Sequence, residues 1–129
     1  MIGRAATGVA LAAVLAWPVG SQDALLTYPA AQCAALALGR QDYATASPFL
    51  DADPADPVAA RAFRDAAIRL NGGREGEVDA FIAAQRPLMF DLLDAYIVGN
   101  DRLSRDLYER LTKTCADLAA SQADTRPPP

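Results

Sequence analysis

The stretch NDRLSRDLYERLTKTCADLAA, residues 100–120, decides the architecture. Leu103, Leu107, Leu111, Cys115 and Leu118 recur at steps of four, four, four and three, which at ~100° per residue gathers them into one apolar stripe of a helix. That stripe needs a core to face, and it carries one of only two cysteines in the chain. On the other side Asp101, Arg105, Glu109, Lys113 and Asp117 alternate in sign, with Arg102, Asp106 and Arg110 as a second row. Asp101/Arg105, Asp106/Arg110 and Glu109/Lys113 run acid before base, the better orientation, at only ~0.3–0.5 kcal/mol each. The rows therefore read as a solvated face, with Asn100 or Asp101 as the cap.

The other cysteine is Cys33. An even cysteine count in an exported chain points to a bridge, and neither cysteine stands in the Cys-x-x-Cys setting of a redox couple. A Cys33–Cys115 structural disulfide would pack the first mature helix beside the last, with the alpha carbons within ~7 Å. The chain-entropy estimate for so long a loop is about 4.5 kcal/mol, comparable with the whole stability of a small domain.

Export itself is read from the N-terminus. Arg4 is followed by an uncharged apolar run from Ala5 to Trp17, and Pro18-Val19-Gly20-Ser21 breaks it, the parts of a secretory signal peptide. The run is shorter than the ~20 residues that span a bilayer. Residues 1–21 are the expected signal, with cleavage after Ser21 or alternatively after Ala16 or Ala24. Residues 22–121 form one helical domain, and residues 122–129, ending in three prolines, form a disordered tail. Abundant alanine and arginine, with Lys113 as the single lysine, suggest a GC-rich genome and bacterial export to the periplasm.

Composition also excludes chemistry. The 129 residues carry a formal charge of −4, which becomes more negative once Arg4 is removed, so neither nucleic acid nor anionic lipid is a suitable partner. With no histidine in the chain, histidine-activated serine or cysteine nucleophiles, the usual histidine-containing zinc sites and covalent c-type haem attachment all drop out. No cofactor and no metal is expected. Asp51, Asp53 and Asp56 are spaced like the start of a calcium loop, but Asp56 and Ala62 stand where an EF-hand needs glycine and glutamate.

Along the chain, Gln22 to Ala46 reads as the first helix, with Thr27 as a cap, Pro29 in the first turn, and Leu26, Ala30, Cys33, Ala37 and Ala44 on one face. Arg40, Gln41 and Asp42 mark its wet end. Asp56 caps a second helix from Pro57 to Leu70, with Ala59, Phe63, Ala66, Ala67 and Leu70 inward and Arg61, Arg64 and Asp65 outward. Asn71-Gly72-Gly73 ends it. Glu75, Glu77 and Asp79 open a third, short helix that Pro87 ends or bends. Pro87 to Val98 is the most apolar segment, wide enough to be the central element or to keep an exposed strip for a partner, of which Phe90 is the candidate member.

Leu38-Gly39, Asp42-Tyr43, Ala46, Phe49 and Asp56-Pro57 resemble parts of a tetratricopeptide repeat. Their registers disagree and they cover about one repeat where ~3 are needed, so they identify no family.

The sequence thus predicts an all-α fold: four or five short helices in a compact irregular bundle, the first and last joined through Cys33 and Cys115. The expected role is a non-enzymatic module of the envelope that binds another protein or a small apolar ligand, with no membrane span after processing. The alternatives are an acid/base enzyme, for which Glu75, Glu77, Asp91 and Asp94 are the clustered candidates, and an envelope stress chaperone that exposes apolar surface on acidification.

Overall fold

Alanine sets the layout. In the first helix Ala30, Ala31, Cys33, Ala34, Ala35, Leu36 and Ala37 are all buried, so this helix has no solvent stripe over its middle and is the hub on which the others pack. Small side chains let neighbouring backbones come close on several sides at once. The computed structural model describes residues 22–124, with side chains from 28 to 122; the expected signal segment and residues 125–129 lie outside the described residues. Four helices and no strand occur among the described residues: α1 (Gln22–Ala46), α2 (Ala55–Leu70), α3 (Glu75–Ile97) and α4 (Arg102–Asp124).

The all-α bundle is as expected, and so is the bridge between its first and last helices: Cys33 Sγ and Cys115 Sγ are 2.08 Å apart and the alpha carbons 5.6 Å apart. The central element is α1 rather than the apolar segment 87–98. That segment is the second half of α3, where Met89 and Leu93 are buried but Leu88 and Val98 are exposed. Pro87 does not end the helix, which runs on from Glu75 to Ile97. Val78 and Ile82 before the proline and Met89 and Leu93 after it are all buried, and this packing on both sides offsets the ~3 kcal/mol an internal proline costs. Pro87 and Ala83, whose carbonyl the missing N–H leaves free, are both exposed, so water can take the bond. Pro29 likewise lies inside α1 rather than in its first turn, because the backbone is already helical from Gln22.

α1 and α3 approach tightly at Gly39, where an added Cβ would fall 2.6 Å from Met89 Cβ and 3.3 Å from backbone atoms of Met89 and Phe90. Below that crossing Tyr43, 1% exposed, donates its hydroxyl to Asp94 Oδ1 at 3.2 Å and receives the Phe90 ring edge-on at 5.1 Å. The α2–α3 connection is a tight hairpin. Gly72 and Gly73 have φ of 64° and 81°, and the Gly73 and Gly72 N–H groups donate back to Ile68 O and Arg69 O, the double bond of a Schellman ending.

Asp56 is not the cap of α2. The helix starts two residues earlier, at Ala55, whose N–H donates to Asp53 Oδ1 at 2.9 Å, which leaves Asp56 in the first turn facing Arg40. Arg40 Nε donates to both Asp56 oxygens at 3.2 and 3.3 Å, and its Nη1 donates to the Tyr108 hydroxyl. Tyr108 also packs at a tilt against Tyr96, ring centroids 5.4 Å apart. The residue expected at the wet end of α1 thus joins α1, α2 and α4, with α3 reached through Tyr96.

α4 departs most from its expected orientation. Cys115, Leu111 and Leu118 face the core, but Leu103 and Leu107 are 77% and 42% exposed. In that half the less exposed positions are Ser104 and Tyr108, each one residue later. The disulfide fixes the rotation of α4 at Cys115, and Tyr108 reaches Arg40 only from that rotation. Asp101, not Asn100, is the cap: its Oδ2 accepts Ser104 N–H at 3.0 Å and Ser104 Oγ–H at 2.6 Å. Asn100 instead takes the left-handed residue of the α3–α4 turn, φ 50°. The helix continues past Ala120 to Asp124.

Two glycine substitutions should act in opposite directions. Gly39→Ala gains about 1 kcal/mol of helix propensity but forces α1 and α3 apart at about 1–3 kcal/mol of overpacking, so urea unfolding should show a net loss. Gly76→Ala, where an added Cβ meets nothing within 4 Å, should gain roughly 0.5–1 kcal/mol.

Candidate functional site

Where α1, α2 and α3 meet, their small residues leave a groove of about 500 Å³. Each helix contributes one stripe: Ala34, Leu38 and Gln41 from α1, Pro57, Ala60, Arg61 and Arg64 from α2, Asp79, Ile82, Ala83 and Arg86 from α3. The floor is apolar, with Ala34, Ala60 and Ile82 buried, and the charges stand on the α2 and α3 walls. The size falls within the range of small-ligand pockets, and an apolar lining with a few polar groups is their usual character.

Two forked ion pairs frame the groove. Arg64 Nε and Nη2 donate to Asp79 Oδ1 and Oδ2 at 2.7 and 2.9 Å across the α2–α3 hairpin, with Glu75 adding a carboxylate oxygen at 3.4 Å. Arg86 Nε and Nη2 donate to Asp42 Oδ2 and Oδ1 at 2.6 and 2.7 Å, joining α3 to α1. Both forks have the bidentate geometry of the strong arginine–carboxylate bond. Arg61 has no hydrogen-bond or ion-pair partner among the described residues. It lies one helical turn before Arg64 on α2 and shares the groove lining with Ile82 and Ala83.

The carboxylates singled out in the sequence do not assemble into a site. Glu75, Glu77, Asp91 and Asp94 are all exposed. Glu75 pairs with Arg64, Glu77 accepts from Asn71 Nδ2 at 3.1 Å and lies 3.7 Å from Arg74, and Asp94 holds the Tyr43 hydroxyl. None lines the groove. Phe90 is half-buried on Tyr43, so the large apolar side chains exposed in and just after α3 are Leu88 and Val98. Asp53 and Asp56 point to separate tasks, a turn and an ion pair, and among the described residues no three potential metal ligands cluster.

Sequence reasoning placed Arg61 and Arg64 outward without seeing a groove. One signal was present: Arg64 and Asp79 are equidistant from the Asn71-Gly72 step, as partners across an αα-hairpin should be. The chain matches no protein-family model, no characterised protein and no solved structure.

Two carboxyls respond to their surroundings in opposite directions. The Arg64 hydrogen bond holds Asp79 below its ordinary range, against a smaller opposing effect of burial. Burial pushes Asp56 up, outweighing the Arg40 charge and hydrogen bond that pull it down. A lowered folded pKa gives stability that is present above the unfolded value and lost as pH falls through the folded one. A raised folded pKa gives a penalty at neutral pH that is relieved as pH falls through the raised value. Urea unfolding between pH ~7 and ~3 should therefore show a smaller acid-induced loss than wild type for Asp79→Asn, and a larger one for Asp56→Asn.

Proposed function

We propose that this is a small exported binding protein, non-enzymatic, which holds a small ligand with an apolar body in the groove between α1, α2 and α3. The observation that carries the reading is the groove itself: about 500 Å³, floored by Ala34, Leu38, Ala60 and Ile82 and framed by two fixed ion pairs. A rigid frame lowers the ordering cost of binding, which favours a preformed pocket over an adaptable surface. Export to the periplasm is supported by the signal-like residues 1–21 and by the Cys33–Cys115 bridge, a bond characteristic of oxidising compartments. No helix among the described residues is long and apolar enough to cross a membrane.

The ligand reading is tested with a neutral apolar probe, 1-decanol, titrated into methyl-labelled full chain. Chemical-shift changes should concentrate on the methyls of Ala34, Leu38, Ala60, Ile82 and Ala83. They should vanish in Ala83→Trp, which fills the groove from an exposed position. Shifts centred on the exposed Leu103 and Leu107, or none at all, would refute the groove as the binding site.

A further inference from the structure

The charges of the groove divide into those already answered and one that is not. Arg64 and Arg86 each spend their fork on a carboxylate of this chain, Asp79 and Asp42. The fork of each is occupied and its charge is locally balanced. Arg61 lines the same groove with its fork free among the described residues. In a chain of formal charge −4, the groove therefore presents one uncompensated cation beside an apolar floor.

We propose that the groove selects a small amphipathic monocarboxylate, its hydrocarbon lying along Leu38, Ala60 and Ile82 and its carboxylate taken by Arg61. This rests on the groove being the binding site, as argued above, and adds which ligand it takes. A guanidinium presents two parallel N–H donors that match the two oxygens of a carboxylate. One free arginine balances one negative charge. A second charge on the ligand would find no further uncompensated cation, because Arg64 and Arg86 are already balanced by Asp79 and Asp42. Size also bounds the part of a ligand that the groove can bury. At about 30 Å³ per water-sized atom, the groove accommodates on the order of fifteen heavy atoms, which matches a medium-chain fatty acid or a compact aromatic acid. Gln41, also on the lining, offers an amide to a further polar group.

Calorimetric titration of the full chain with three probes of one chain length tests this: decanoate, 1-decanol and decyl phosphate at a pH where the phosphate is doubly charged. Decanoate should bind about tenfold or more tightly than either of the others, the value of a charge-assisted pair over a neutral or mismatched head group. Arg61→Gln should erase that preference, weakening decanoate about tenfold while leaving decanol unchanged. Because Arg61 is exposed and makes no bond within the described residues, this variant should unfold at the wild-type urea midpoint. Ala83→Trp should abolish all three. If decanol and decanoate bind equally and Arg61→Gln changes neither, while Ala83→Trp removes both, the groove reading survives and the carboxylate inference falls. Tightest binding by decyl phosphate overturns it in favour of a phosphate ligand. Decanoate binding that persists in Ala83→Trp places the acid elsewhere and overturns both readings.

Discussion

The close approach of α1 and α3 at Gly39 and Met89 is the constraint from which the remaining geometry follows. A helix whose neighbours come this near cannot carry large side chains at the contact, and α1 accordingly offers Ala30, Ala31, Ala34, Ala35 and Ala37 to the helices around it. Such a helix buries little apolar area per residue, so its own contribution through the hydrophobic effect is small. Larger side chains of the partners supply what it lacks: Phe63 from α2 and Val78, Ile82, Met89 and Leu93 from α3. The arrangement is a thin axle with thick spokes, which is why α1 shows no pronounced apolar stripe and yet lies deepest.

The same small residues produce the groove. Where two helices meet, alanine allows close contact. Where three meet, it leaves a space at the junction that no side chain fills, here between Ala34, Ala60 and Ala83. Such a space weakens a core unless something occupies it or water solvates it, since lining atoms without neighbours forfeit their dispersion contacts. The two forked arginines join the helices that wall it. Partial exposure of both pairs makes each worth little as raw stability, so their clearer consequence is geometric: α2 is tied to α3 at Asp79, and α3 to α1 at Asp42.

Much of this architecture was legible in the chain because it depends on local chemistry. Periodicity placed Phe63, Ala66 and Ala67 inward, the Asn-Gly-Gly run ended α2, and the two cysteines named the helices that lie together. What could not be read depends on the balance of distant forces. Pro87 signals a helix end locally, and only packing on both sides of it carries α3 through. Leu103 and Leu107 continue a perfect stripe, but the rotation of α4 is set by Cys115 and by the reach of Tyr108 to Arg40, neither of which periodicity contains. Arg40 itself reads as solvent-facing until Asp56 and Tyr108 arrive from other helices. The groove was invisible for the same reason, because it is a property of three stripes meeting and belongs to none of them singly.

α4 stands apart from the other three helices, and this bears on how function and stability are divided. It contributes no residue to the groove, and its attachment rests on Leu111, Leu118, Tyr108 and the bridge at Cys115. With Leu103 and Leu107 turned outward, its first half gains little from burial. The covalent link compensates: with its ends 82 residues apart in sequence, it removes a large share of the unfolded chain's freedom, about 4.5 kcal/mol on the entropic account. The bridge closes on α1 at Cys33, one residue from Ala34 on the groove floor. Stabilisation supplied from the α4 side therefore holds the same helix that the ligand would meet, while the face given to the ligand carries none of the residues that α4 needs. A chain too small for a large core can in this way keep an open groove beside its central helix, because the cysteine that secures α4 and the residues that line the groove occupy different faces of α1.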